Sequence, residues 1–295
     1  MQSYYLNIAG YKIRIESADQ GLDLVPSERF AGNICTADGY DLLIRVHSES
    51  FKLPAEAARV FHAPLIEELD GSRIKKNDEF WSIYSNGSDL FIKTVFPYTG
   101  SESKAILKFS LTSTEWDIYL EGTSALFDPL DYPLDGLILY YLTAIKGDIM
   151  IHASGINHEG KGYVFSGVSG KGKTTISRLW NEAGCKVIHD DRLILRKIEN
   201  RYYMFNTPVY KNDLPSESVI SAVFLIDHGR ENQVVKLNGA ASVSSLLANC
   251  IQHNWNPELV ERLIGSVSKL STEIPVARLY FKPDRQIIDF IQNYE

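Results

Sequence analysis

The residues Gly167-Val168-Ser169-Gly170-Lys171-Gly172-Lys173-Thr174 satisfy the pattern G-x-x-x-x-G-K-[ST] at every fixed position. Each residue type has a physical reason to be there. Glycines tolerate positive φ and let the backbone curl close to an anion without a Cβ in the way. The N–H groups of Gly167, Ser169, Gly170, Lys171 and Gly172 can then point inward and form an anion nest at the start of a helix. Lys173 supplies a mobile full charge for β- and γ-phosphates, and the Thr174 hydroxyl can ligate Mg²⁺. Thr175 is a weaker candidate for one more phosphate contact. The segment therefore predicts a nucleotide-binding loop of the Walker A type, with ATP and Mg²⁺ as its ligands.

Two acids follow downstream, Asp190 and Asp191, at the end of the apolar segment Cys185–His189. Adjacent carboxylates repel unless a cation lies between or beside them. Beside a phosphate loop Mg²⁺ would supply that cation. One acid could then hold the metal or its water while the other takes a proton from an incoming hydroxyl. The alternative is a solvated turn at a strand end. Upstream, His152 lies on a strand expected to run beside the loop strand, and it reads either as a structural or as a catalytic histidine. His189 could tune the acids but is expected to face outward, and His158 is expected to be solvent-exposed.

Taken together, these residues resemble a known family. Val164–Ile176, reading VFSGVSGKGKTTI, is similar to the nucleotide loop of phosphoenolpyruvate carboxykinases. The order His152, Gly167–Thr174, helix, apolar strand and Asp190-Asp191-Arg192 resembles the catalytic domain of bacterial HPr kinase/phosphorylase. The resemblance implies a mixed-sheet P-loop domain and phosphoryl transfer from ATP to a hydroxyl. In its roles, Lys173 holds the transferred phosphate and Thr174 ligates Mg²⁺. Asp190 assists the metal, Asp191 acts as general base, and His152 lies near the reacting phosphate. HPr kinases assemble into hexamers, which leaves a homo-oligomer open, but no residue of this chain carries that inference. It covers roughly Ile149–Arg196 well. The glycine-rich signature that follows the acid pair in HPr kinases is absent, and the chain reads Asn206-Thr207-Pro208-Val209-Tyr210-Lys211 instead. Thr207, Pro208 and Lys211 read either as a lining of the acceptor side or as a surface loop.

The elements that must position these groups fall into two regions. From about residue 128 the pattern is α/β. A helix with Leu134, Leu137, Ile138, Tyr141, Leu142 and Ile145 on one face opens at Pro133 and closes at Gly147. Strand-like Ile149–Ile156 and Gly162–Phe165 flank a turn, and an amphipathic helix closed by Gly184 follows the loop. Further strands are expected near Leu193–Lys197, Tyr202–Phe205, Val219–Ile226, Val234–Leu237 and Val276–Phe281. Helices are expected near Ala240–Cys250 and Pro257–Lys269 and from about Asp284. Residues 1–127 instead read as a β-rich domain with strands near Tyr40–Val46, Phe80–Tyr84, Leu90–Phe96, Ala105–Leu111 and Trp116–Leu120. Asn86-Gly87, Tyr98–Ser101 and Glu121-Gly122 are the expected turns. This half carries no chemical motif, and a β-meander for packing or partner recognition is the reading.

Bulk properties narrow the partners. The 295 residues carry a formal charge of −7, which argues against general affinity for nucleic acid or an anionic membrane. The three cysteines have no metal-ligand spacing and read as thiols in a reducing compartment. Neither a signal peptide nor a membrane-length apolar run is apparent, so the expected location is cytoplasmic. The partners are a nucleotide and a hydroxyl acceptor, either serine of a protein or peptide or a small metabolite such as free serine. A non-catalytic, nucleotide-responsive binding protein remains open on the residues alone.

Overall fold

The computed structural model describes residues 1–69, 72–96, 103–121, 126–210 and 213–294, with 66–69, 72–78 and 126–127 as backbone alone. The expected turn at Tyr98–Ser101 lies outside the described residues, as do Gly122 and Lys211. Two units are present: Met1–Leu142 with Val209–Leu214, and Thr143–Pro208 with Pro215–Glu295. The division falls after Leu142 rather than at the expected 127/128 boundary. The helix expected to bridge the halves belongs mostly to the first unit, where Tyr141 packs 4.7 Å from the Phe109 ring.

In the first unit the strands are β1 (Ser3–Ile8), β2 (Tyr11–Ser17), β3 (Asp23–Leu24), β4 (Ile34–Cys35), β5 (Leu42–His47) and β6 (Ala58–Leu69). They continue with β7 (Ser72–Asn86), β8 (Asp89–Val95), β9 (Lys104–Phe109), β10 (Glu115–Glu121) and β11 (Leu126–Phe127), followed by helix α1 (Leu134–Lys146). Alternation of apolar and polar residues drives these strands: Leu6, Ile13, Ile15, Ile44, Ile92, Leu107 and Ile118 are at most 1% exposed. A tight turn falls one residue later than Asn86-Gly87, at Gly87-Ser88 between the paired Asn86 and Asp89, with Gly87 at φ 61°. The nine-stranded order is β4-β1-β2-β5-β10-β9-β8-β7-β6. This is not the simple meander expected from sequence. β6 to β10 do pair consecutively and antiparallel, but β5 pairs parallel with both β2 and β10. Parallel pairing needs a crossover. The excursion through β3, a 3₁₀ turn at Glu28–Asn33 and β4 carries the chain from β2 to β5.

The second unit continues with β12 (Ile149–His158), β13 (Lys161–Ser166), α2 (Lys173–Glu182), β14 (Lys186–His189), β15 (Arg192–Ile198) and β16 (Arg201–Asn206). It ends with β17 (Glu217–His228), β18 (Gln233–Lys236), α3 (Ala240–Leu247), α4 (Pro257–Glu273), β19 (Val276–Phe281) and α5 (Gln286–Gln292). The sheet is mixed. β13, β17 and β19 run parallel side by side, while β12, β15, β16 and β18 add antiparallel pairings. Side chains of alternate residues feed two cores. Val164, Val223, Leu193 and Met204 join Leu246 of α3 and Val267 and Leu270 of α4. Phe165, Phe224 and Leu279 join Ile176 and Trp180 of α2 and Ile287 and Ile291 of α5 on the other face. The strands are buried on both faces, as parallel strands between helices should be. No helix among the described residues is long and apolar enough to cross a membrane.

Candidate active site

The Gly-rich loop leaves the carboxyl end of β13 and enters α2, so it sits where parallel strands of an open sheet present their ligands. Its form follows from local chemistry. Gly170 and Gly172 lie at φ 82° and 96°, in the left-handed region that L-residues avoid. At Gly172 a second constraint applies, because a Cβ there would meet the Phe281 ring at 2.8 Å. α2 begins with Gly172 as its N-cap, with no side-chain cap and no acid in the first turn. Its first N–H groups and positive dipole end are therefore left for an outside anion.

Lys173 is 7% exposed, and its ammonium donates to the Gly167 carbonyl at 2.6 Å and to the Val168 carbonyl at 3.4 Å. Burial lowers its pKa below the ordinary lysine value, and the charge of Asp191 opposes that shift. The two groups thus sense one another. Thr174 and Ser169 are exposed and Thr175 half-buried.

The acids arrive from the next connection. β14 and β15 both pair antiparallel with β12, and the turn between them carries Asp190 and Asp191. His152 lies opposite Arg192 in that register, and its Nδ1 is 3.3 Å from Asp191 Oδ1. Arg192 Nε donates to Asp191 Oδ2 at 3.2 Å. The His152 hydrogen bond and the Arg192 charge hold the Asp191 carboxyl down at about 2 against a desolvation that would raise it. Asp190 is half-buried and makes no ion pair among the described residues. A carboxylate of that kind and the Thr174 hydroxyl are both oxygen donors of the type that Mg²⁺ takes.

His189 corrects the outward-facing expectation. It is 6% exposed, and its Nδ1 accepts from the N–H groups of Asp191 and Arg192 at 3.1 and 3.3 Å. It clamps the acid turn from within. His158 is also not free in solvent, with Nδ1 3.2 Å from the Cys185 thiol and its ring edge-on to Trp180. Thr207 is 4% exposed, and its hydroxyl donates to the Arg192 carbonyl at 3.2 Å, so it braces β15 instead of forming a surface loop.

Other residues at the loop were not singled out by the sequence reading. β17 lies next to β13, and its apolar run Val223–Ile226 ends at Asp227. Four apolar residues and an acid on the strand beside the Gly-rich loop is the pattern that could have drawn attention to it. Asp227 Oδ1 accepts from Lys171 Nζ at 2.8 Å, which holds its carboxyl below the usual carboxylate range. His228 Nε2 lies 3.0 Å from the Gly170 carbonyl. The crown of the loop is thus pinned from β17, while its base is tied to the Lys173 ammonium.

Neither a family model nor a curated protein matches the chain. Among solved structures it is similar to the HPr(Ser) kinase/phosphatase from Coxiella burnetii, with 10% identity and a TM-score of 0.32 over 49% of this chain and 95% of that one.

Proposed function

We propose that the chain is an ATP- and Mg²⁺-dependent phosphotransferase that moves the terminal phosphoryl group to a hydroxyl, with serine of a protein or peptide as the acceptor. The observation that carries this reading is the buried Lys173 ammonium, held 2.6 Å from the Gly167 carbonyl at an uncapped helix start, with Asp191 close enough for its charge to act on it. A triphosphate laid along Gly170–Thr174 exchanges those carbonyl contacts for phosphate oxygens. Thr174 and Asp190 would hold Mg²⁺, which offsets the charge of the β- and γ-phosphates.

Asp191 receives the acceptor. Its carboxyl is at about 2, so it stays ionised at any physiological pH and is a weak base toward a free alcohol. A loose phosphoryl-transfer transition state asks for little proton abstraction before the new bond forms. The acceptor oxygen bonds to the γ-phosphorus, the bond to the ADP oxygen breaks, and the hydroxyl proton passes to Asp191 late in the step. His152 and Arg192 fix the carboxylate for that role.

Transfer from [γ-³²P]ATP to fractionated lysate acceptors, with Asp191→Asn as control, tests the reading. We expect Asp191→Asn to retain ATP binding and to lose transfer by about 10²-fold or more. ATP that binds but is neither transferred nor hydrolysed over hours would favour a nucleotide-responsive binding protein instead.

A further inference from the structure

The exposed imidazole of His228 stands against the crown of the Gly-rich loop, and we infer that it is the platform on which the nucleobase stacks. This proposal rests on the nucleotide-binding half of the phosphotransferase reading and names the residue that holds the other end of the nucleotide.

Strand order gives the direction. β13 lies between β12 and β17, and β19 lies beyond β17. The acid turn joins two strands paired with β12, so it flanks the loop on one side. His228, the last residue of β17, flanks it on the other. β13, β17 and β19 run parallel and end at the same edge of the sheet, where open α/β sheets bind their ligands. A triphosphate with its terminal phosphate turned to Asp190 and Asp191 therefore carries its nucleoside toward β17 and β19.

Contact gives the reach. His228 Nε2 lies 3.0 Å from the Gly170 carbonyl, and a Cβ at Gly172 would stand 3.9 Å from His228 Cε1. The ring thus adjoins the stretch whose N–H groups are proposed to take the phosphates, and a base tethered to those phosphates comes within its span. The ring is also held in place. The backbone N–H of His228 donates to Asp227 Oδ1 at 2.8 Å, and that of Gly229 to the Phe281 carbonyl at 3.0 Å. Phe281, 1% exposed, stacks behind the imidazole with 6.4 Å between centroids and 30° between planes. An aromatic ring braced from behind and kept in solvent beside an anion nest suits a nucleobase, because every base has a π-face to offer.

The test is calorimetry on the full chain with Mg²⁺, comparing ATP with tripolyphosphate, which offers a phosphate chain and no base. His228→Ala should weaken ATP about tenfold and leave tripolyphosphate unchanged. Two further variants separate the ring from its contact with the loop. His228→Phe keeps a ring and gives up the Gly170 contact, and it should hold ATP within about threefold of the unaltered protein. His228→Gln keeps a donor for Gly170 and gives up the ring, and it should behave as His228→Ala does. The urea midpoint of each variant shows that the fold is intact. Equal losses for ATP and tripolyphosphate, or rescue by glutamine and not by phenylalanine, would make His228 a brace of the loop and overturn the platform. Unchanged ATP affinity in His228→Ala would overturn it as well. Absence of binding of both ligands to the unaltered protein would instead overturn the nucleotide reading itself.

Discussion

In the N-terminal sheet the charges pair across strand faces, Arg45 with Glu115 at 2.6 Å and His47 with Asp117 at 2.8 Å. In the C-terminal sheet they gather where strands stop: Lys173 after β13, Asp190 and Asp191 after β14, and Asp227 within the last residues of β17. Pairs on a strand face neutralise one another and leave nothing for a ligand. Groups at strand ends are held by backbone turns and by one another, as with Asp191 between His152 and Arg192, and still present one side outward. The first arrangement supports a sheet, and the second is suited to chemistry.

The largest expected effect comes from Lys173. Lys173→Ala should weaken binding of ATP, read by calorimetry, by about 10²-fold or more, because a buried cation–phosphate contact contributes about 3–5 kcal/mol. Circular dichroism should show an intact fold. Unchanged affinity would remove the distinction between the two sheets.

Two glycines sharpen it further. Gly172→Ala strains a residue at φ 96° and drives a methyl into Phe281, so we expect about 1–3 kcal/mol of destabilisation together with lost ATP binding. At Gly162 a Cβ would collide with the Val219 carbonyl, well away from the loop along β13. Gly162→Ala should therefore lower the urea midpoint at least as much while the folded fraction still binds ATP. If both variants lose binding in step with stability, the loop has no separate role.

The N-terminal unit offers a pH test without a ligand. Burial pushes the Asp128 carboxyl up to about 6, against the hydrogen bonds it accepts from the N–H groups of Leu130 and Ser27. Its folded pKa lies above its unfolded value, so the stabilisation is full below about pH 4 and is lost as pH rises through 6. The total loss amounts to about 3 kcal/mol at most. Urea midpoints at pH 4, 5 and 6.5 should fall along this series, and Asp128→Asn should flatten the fall. The smallest effect belongs to the surface pair: Arg45→Ala should change stability by about 0–1 kcal/mol and ATP affinity not at all.

The form of the Gly-rich loop could be read from sequence because the residues that shape it are contiguous. Glycines, Lys173 and Thr174 act within a single turn, and the flanking apolar strand and amphipathic helix are local patterns too. What could not be read depends on partners far apart in the chain. His189 was expected to face outward, yet it is buried with its Nδ1 on the acid turn. Lys171 was expected to offer its backbone N–H to an anion, and the ion pair of its side chain depends on Asp227, far along the chain. Parallel pairing of β5 with β2 and β10 is likewise absent from the alternation of apolar residues, which marks strands but not their neighbours.

The most direct test is a crystal structure of the chain with Mg²⁺ and a non-hydrolysable ATP analogue. The account predicts β- and γ-phosphates on the N–H groups of Gly170–Thr174, Lys173 Nζ moved from the Gly167 carbonyl to phosphate oxygen, and both Asp190 and Asp191 on the γ-phosphate side. Phosphates bound elsewhere, or carboxylates directed away from the terminal phosphate, would contradict it.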